Sequence, residues 1–273
     1  MVIIGLIFSI ISCNKDIQKE TVKSQQSVNH LKFGYSNPLE FMGISHNNAL
    51  DYIANAPGFP NLTTWQLYCL SCNYQDEYFD ATNTSENEYD MLQSVIPDLV
   101  DAGKDAPYIC YQAGLIGWQT KLRLDTLCNI IYQGYDNHEL ITPDDMDDLI
   151  LEYEVSFIDE NKTAEDYLDE HNFDGIILGA CVISRYSYRY WYNAVHEQTS
   201  WTSYLEENGG LNYECFWKKA WADIMGFFHG CGVAHDQYCN PIPPSTLPFH
   251  HWAWDPVCSW NQAKEASASV NCE

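Results

Sequence analysis

The chain has 273 residues, of which 46% are hydrophobic and 14% aromatic, enough for the core of one large domain or two small ones. This aromatic content argues against disorder over most of the length. The 38 acidic and 13 basic residues give a formal net charge of −25. Such a balance, without a cluster of Lys and Arg, argues strongly against nucleic-acid binding, because phosphate contacts require basic clusters. The acidity indicates a solvated, self-repelling surface.

The amino terminus carries an apolar run from Val2 to Ile11, which is too short to cross a bilayer and typical of a secretory signal. The run ends in Ile-Ile-Ser-Cys13, which resembles the lipobox of bacterial lipoproteins. The resemblance implies that residues 1–12 are a signal peptide and that Cys13 is the site of lipidation, with fatty acids such as palmitate attached there. One departure is that no Lys or Arg precedes the apolar run.

Residues 13–36 are polar and show no periodicity, so they are predicted to form a flexible tether between the lipid and the folded domain. No later segment reaches the 18 or more apolar residues of a membrane-spanning helix. We therefore expect a protein anchored by lipid to the outer membrane, periplasmic or surface-exposed, with the membrane as its first partner.

Ten cysteines remain after Cys13, an even number that permits disulfides in an exported protein. Three of them fall within apolar helical patterns and are predicted to be buried free thiols: Cys110, Cys128 and Cys181. Four others fall in a loop-rich tail and are better candidates for bridges: Cys231, Cys239, Cys258 and Cys272. Some disulfides, rather than five, are expected.

The first helix is predicted to begin at Asn37-Pro38, with Asn37 as the N-cap, and to end near Ala54. His46 and Asn47 lie along it and are candidate binding residues. The spacing places His46 on the inner face, so a hydrogen-bonded core histidine is the first interpretation and a catalytic or metal-binding group the second. Residues 57–83 are rich in Pro, Asn and aromatic residues and are predicted to be irregular.

Further helices are predicted from cap signals and apolar periodicity. They start at Ser85, at Pro107 (one long helical region to Gln133, with Gly114 and Gly117 marking a close contact or a break), at Thr142, at Thr163 and at Ser200. The run of aspartates after Thr142 lacks the spacing of a calcium loop and suits the positive end of a helix dipole.

The central element is a helix over residues 172–195, apolar or aromatic on nearly every side. It contains Arg185 and Arg189, one turn apart and therefore on one face. A buried guanidinium needs a partner, so the first interpretation is an internal salt bridge to Asp or Glu, and the second is a pair that binds an anion or substrate. A second long helix, residues 213–235, is the predicted packing partner.

A possible metal site lies at the end of this second helix, where thiol and imidazole groups follow one another: His229, Cys231, His235 and Cys239. The six-residue separation of the two histidines places them about 120° apart on a helix, so they converge poorly on one ion. Disulfides and packed thiols are the alternative. The chain contains no nucleophile elbow and no glycine loop for phosphates, and no cofactor is expected.

No stretch shows the alternation of a β-strand. The prediction is an all-α protein of roughly eight helices, with one bundle-like helical domain at 37–239 and irregular, partly disulfide-braced loops. Residues 240–273 form a Pro/Trp/Cys-rich arm that packs on this domain. Its tryptophans either cover a core seam or stack on a glycan.

Three short motifs stand out along the chain: Asn37-Pro38 with Gly43-x-x-His46-Asn47-x-x-Leu50-Asp51-Tyr52, Ser184-Arg185-Tyr186-Ser187 with Tyr190-Trp191, and Trp221-Ala222-Asp223-x-x-Gly226. Together they resemble a group of uncharacterised lipoproteins from the Bacteroidota, and the similarity covers residues 37 to about 235. The resemblance implies a lipobox signal followed by an all-helical domain, and it implies no activity. The high cysteine count and the long tail after Asn240 depart from the group and suggest bracing by disulfides.

The resulting hypothesis is a lipid-anchored cell-envelope protein with a binding or interaction role, whose partner is a protein or a glycan. The alternative is a metal-dependent envelope enzyme that uses the cluster from His229 to Cys239.

Overall fold

A computed structural model describes residues 37–79, 86–136, 141–168, 172–197, 199–207, 213–230 and 266. These residues form helices, turns and short connections without a β-strand, which confirms the all-α class. The helices are α1 (Glu40–Ala54), α2 (Thr64–Phe79), α3 (Glu86–Ala102), α4 (Ala106–Gln112), α5 (Trp118–Asp136), α6 (Pro143–Glu154), α7 (Ala164–Tyr167), α8 (Phe173–His196), α9 (Ser200–Glu207) and α10 (Tyr213–Gly230), with 3₁₀ turns at Gly103–Asp105 and Val155–Phe157.

Helix α8 is the centre of the core, and sixteen of its residues are buried. The side chain of Asn172 caps its first turn by accepting a hydrogen bond from the backbone N–H of Asp174, 3.2 Å away. Its small residues let neighbours approach closely. A Cβ on Gly179 would lie 2.6 Å from the ring of Phe227 in α10, so this contact requires glycine.

Helix α1 runs in the same direction as α8. At its start, Asn37 Nδ2 donates to the carbonyl oxygen of Leu178 at 3.0 Å. Further along both helices, the hydroxyl of Tyr190 donates to Oδ1 of Asp51 at 2.9 Å. The beginnings of α1 and α8 therefore lie at the same end of the molecule.

Helix α10 runs in the opposite direction to α8. Its Asp223 contacts Ser187, while Phe227, one turn later, contacts Gly179, two turns earlier in α8. The end of α10 consequently lies beside the beginning of α8.

Helices α6 and α5 also reach this end of the molecule. The last residue of α6, Glu154, pairs with Arg185, whereas the earlier Asp147 pairs with Arg189, so α6 is antiparallel to α8. The start of α5 joins the start of α8 because Arg123 pairs with Asp174 at 2.6 Å. We call this end, where α1, α5 and α8 begin, the proximal end.

Three boundaries differ from the predictions. Residues 64–79, predicted to be irregular, form α2. The long region from Pro107 is two helices, because Gly114 adopts φ +75° and breaks the chain between α4 and α5. Helix α1 begins at Glu40 rather than Pro38, since Asn37 forms a turn in which its Oδ1 accepts from the N–H of Leu39.

Five cysteines whose side chains the structure describes form no disulfide: Cys69, Cys72, Cys110, Cys128 and Cys181. The three predicted to be buried free thiols are confirmed, and burial raises the pKa of Cys110 to about 12. Disulfide bracing is thus not found in this part of the chain, where apolar burial inside helices makes the thiols hydrophobic core groups. The tail cysteines lie outside the described residues.

Among the described residues, no helix has the length and apolar character needed to cross a bilayer.

Candidate functional site: a buried polar network and an exposed aromatic surface

A buried polar network joins α1, α8 and α10 around the carboxylate of Asp223. Its Oδ2 accepts hydrogen bonds from Oγ of Ser187 at 2.7 Å and from Nε1 of Trp191 at 2.8 Å. All three side chains are 0% exposed. An isolated carboxylate at such a site would be strongly unfavourable, so these two donors stabilise the helix junction.

His46 supplies the contact from α1. Its Nε2 lies 3.2 Å from Oδ2 of Asp223, although the direction is not that of an aligned hydrogen bond. Its Nδ1 lies 3.0 Å from Oδ1 of Asn47, which accepts. His46 is thus a fully buried, hydrogen-bonded histidine of the core.

Serine, histidine and aspartate meet here, but their arrangement differs from a nucleophilic triad. The hydroxyl of Ser187 donates to Asp223 and not to the imidazole of His46, so the serine–histidine contact of a triad is not formed. Lys219 lies nearby and is 1% exposed; its burial lowers its pKa to about 8, against the opposing effect of Asp223. The arrangement suits a structural network that fixes three helices in register.

Arg185 is the centre of a second buried cluster. Its Nη2 lies 2.9 Å from Oε2 of Glu40 in α1 and 3.2 Å from Oε2 of Glu154 in α6. Arg185 and Glu154 are each 1% exposed. Burial alone would lower the pKa of Arg185, but the two carboxylates outweigh burial and raise it. One guanidinium therefore serves two carboxylates.

Arg189 lies one turn further along α8 and forms pairs with Asp144 and Asp147 of α6, each at 2.7 Å. Its side chain is partly exposed, and Asp144 is largely exposed. Both arginines thus make the internal salt bridges of the first interpretation.

Glu154 shares the positive charge of Arg185 with Glu40, so the negative charge of Glu154 is only partly neutralised. Burial raises the pKa of Glu154 to about 7, against the lowering effect of Arg185, while the charge of Glu40 raises it further. In the unfolded chain a glutamate titrates near 4.5. Between these values the folded chain binds more protons than the unfolded chain. The contribution of protonated Glu154 to the stability of the folded chain is therefore full below pH 4.5 and is lost as the pH rises through 7.

Replacing Glu154 by Gln is expected to flatten this pH dependence. Between pH 4.5 and 7, the unfolding free energy of the variant should fall about 2–3 kcal/mol less than that of the unsubstituted chain. Denaturant unfolding at several pH values measures the difference. Glu152→Gln, on the exposed side of the same helix, is the matched control. Equal pH dependence of the two variants would contradict the assignment.

The predicted metal and lipid sites fall largely outside the described residues. His229 lies in the last turn of α10, whereas Cys231, His235, Cys239 and Cys13 are not described. Within the described part of the chain, no group of three or more His, Cys, Asp or Glu side chains is placed to hold a metal ion. The site predicted around His229 stays a prediction.

Four exposed large apolar side chains lie on α4 and α5. We call them the aromatic surface: Tyr108, Ile109, Trp118 and Leu122, of which Trp118 is 49% exposed. Lys121 holds the rings together, with its Nζ 5.7 Å from the ring centre of Tyr108 and 5.1 Å from that of Trp118. Exposed apolar groups that cluster in this way mark contact surfaces more often than isolated ones do.

The sequence reasoning missed three residues of the polar network as site residues: Ser187, Trp191 and Asp223. All three are present in the motifs that carried the lipoprotein resemblance, together with His46 and Asn47. These separate motifs converge because α1, α8 and α10 pack against one another. The polar residues within the motifs were the available signal.

Comparisons with known proteins found no match: no protein-family model, no curated protein and no solved structure resembles the chain.

Proposed function

We propose that this protein is a lipid-anchored component of a bacterial cell envelope that binds a partner and catalyses no reaction of its own. The aromatic surface on α4 and α5 supports the binding role, because it exposes ring and aliphatic groups that a partner can cover. The carboxylate, imidazole and hydroxyl groups that meet around Asp223 are fully buried, and the hydroxyl of Ser187 donates to the carboxylate.

The anchor is proposed from the sequence, where the apolar run ends at Cys13. Diacylation with N-acylation holds a protein much more firmly than a single acyl chain, whose membrane binding is marginal. Compact packing of the helical domain as a bundle and disulfide bridges in the tail from Cys231 onward belong to the same proposal.

Cys13→Ala tests the anchor. The unsubstituted chain, expressed in a bacterium that processes lipoproteins, is expected to remain in the membrane fraction after a high-salt wash. Mass spectrometry of its first peptide should show acyl groups on Cys13. The variant should lose both properties, whereas Gln18→Ala, in the predicted tether, should retain them. An unmodified Cys13 in the unsubstituted chain would overturn the anchor.

The metal-dependent enzyme remains the alternative. Stoichiometric zinc in the purified chain, lost together with a hydrolytic activity on His235→Ala, would replace the proposal of a binding protein.

A further inference from the structure

The large exposed apolar side chains of the described residues gather at the proximal end. Six such side chains are at least two-fifths exposed: Phe41, Tyr108, Ile109, Trp118, Leu122 and Phe173. Phe41 lies in the first turn of α1 and Phe173 is the first residue of α8. Arg123, which follows Leu122 in α5, pairs with Asp174, which follows Phe173 in α8, so the two helices meet beside these apolar residues.

The chain that leads from Cys13 joins the described structure at the same end. Asn37 is the first described residue, and its side chain bonds to Leu178, little more than one turn from Phe173. The 24 residues of the predicted tether would span about 27 Å as a random coil. Anchoring would therefore keep the proximal end close to the bilayer, where even a weak contact is favoured by proximity.

The charge of this surface differs from that of the whole protein. Residues 106–124 contain no Asp or Glu, although the chain has 38 of them. The two cations in this segment are already neutralised, Lys121 by Asp125 at 2.6 Å and Arg123 by Asp174. The surface is therefore nearly neutral and can approach another neutral surface without the repulsion that the net charge of −25 would otherwise impose.

We propose that the aromatic surface and Phe173 rest in the headgroup region of the membrane that carries the Cys13 anchor. Tyr and Trp favour this region because their rings are apolar and their N–H or O–H groups remain hydrated. The aliphatic Ile109 and Leu122 fit the upper acyl chains. A glycan surface would make less use of exposed aliphatic groups.

The lipid class follows from the neighbouring acids. Asp159, Glu165 and Asp166 lie in the exposed segment before α8, beside the proximal end. They would be repelled by anionic lipids. The surface is therefore matched to zwitterionic headgroups, and added anionic lipid is expected to weaken its binding.

Vesicle binding of the chain from residue 14 to 273, which lacks both the apolar run and Cys13, tests the proposal. Vesicles of phosphatidylcholine are the probe, with and without phosphatidylglycerol, and cosedimentation gives the partition coefficient. The double variant Trp118→Ser/Leu122→Ser is expected to lower the partition coefficient about tenfold, because a Trp and a Leu side chain no longer enter the membrane interface.

The matched control is Asn129→Ser/Gln133→Ser, which changes two exposed positions with the same spacing further along α5. It is expected to leave the partition coefficient unchanged. Phe173→Ser provides an independent variant on α8 if the double variant does not fold. Absence of binding by the unsubstituted chain, or equal loss in both double variants, would overturn the proposal.

This inference rests on the proposed anchor, but its test is separate. Vesicle binding is measured without any acyl group, whereas the anchor is read from the mass of the Cys13 peptide. An acylated Cys13 without vesicle binding would refute only the membrane contact of the surface. Vesicle binding of the shortened chain, together with an unmodified Cys13 in the full chain, would refute only the anchor.

Discussion

Asp223→Ala is expected to lower the unfolding free energy by about 3–5 kcal/mol. The change removes the carboxylate that accepts from Ser187 and Trp191 and that lies beside His46, so three fully buried side chains lose a favourable contact at once. Such a loss is a large fraction of the total stability of an ordinary domain. Denaturant unfolding monitored by the helical circular dichroism signal measures it.

Asp98→Ala is the matched control, because Asp98 is exposed on α3. Its effect should stay within about 0.5 kcal/mol. Asp223→Asn, which retains an acceptor oxygen but not the charge, should fall between the two. A change caused by Asp223→Ala that is as small as that of Asp98→Ala would show that the network contributes little to stability.

Arg185→Met is expected to cost about 3–5 kcal/mol at neutral pH. The variant leaves Glu154 buried without a cation, and Glu40 loses the same partner. Because loss of Arg185 removes an influence that lowers the pKa of Glu154, this pKa rises further in the variant, so the cost should be smaller below pH 7 and should grow as the pH rises above 7. Unfolding curves of the variant and the unsubstituted chain below and above pH 7 measure the effect.

The neighbouring Arg189→Met supplies the comparison. Arg189 is only partly buried, and water screens its pairs with Asp144 and Asp147. Its loss should cost less than about 1 kcal/mol. Equal costs for the two variants would contradict the assignment of Arg185 as the buried partner of α1 and α6.

The sequence predicted the parts of the fold that local signals specify. The caps at Thr142 and Thr163 are present, with the side chain of each accepting from the N–H three residues later. The central helix covers the predicted range within one residue. These features could be predicted because a cap or an apolar periodicity acts over a few residues.

Helix α2 was missed for a different reason. Its Pro-, Asn- and aromatic-rich surroundings suggested irregular structure, yet Thr63 and Gln66 form a reciprocal cap: Thr63 N–H donates to Oε1 of Gln66, and Gln66 N–H donates to Oγ1 of Thr63. This Thr-x-x-Gln spacing was a readable signal for a helix start.

The polar network could not be predicted from local pattern. Asp223 and Ser187 lie 36 residues apart, and their contact depends on the antiparallel crossing of α8 and α10. Which helices cross, and at which residue, is decided by packing of whole surfaces. The sequence did predict that the arginines of α8 need carboxylate partners, but it could not name Glu40, Glu154, Asp144 or Asp147 among 38 acidic residues.

The position of α8 has a consequence for how the protein unfolds. Its buried polar groups are shared with α1 on one side, α6 on another and α10 on a third. Separating any of these three helices from α8 would leave charged groups or hydrogen-bond donors buried without a partner. Local unfolding of α8 alone therefore requires a large free energy, and α8 should unfold together with the whole core.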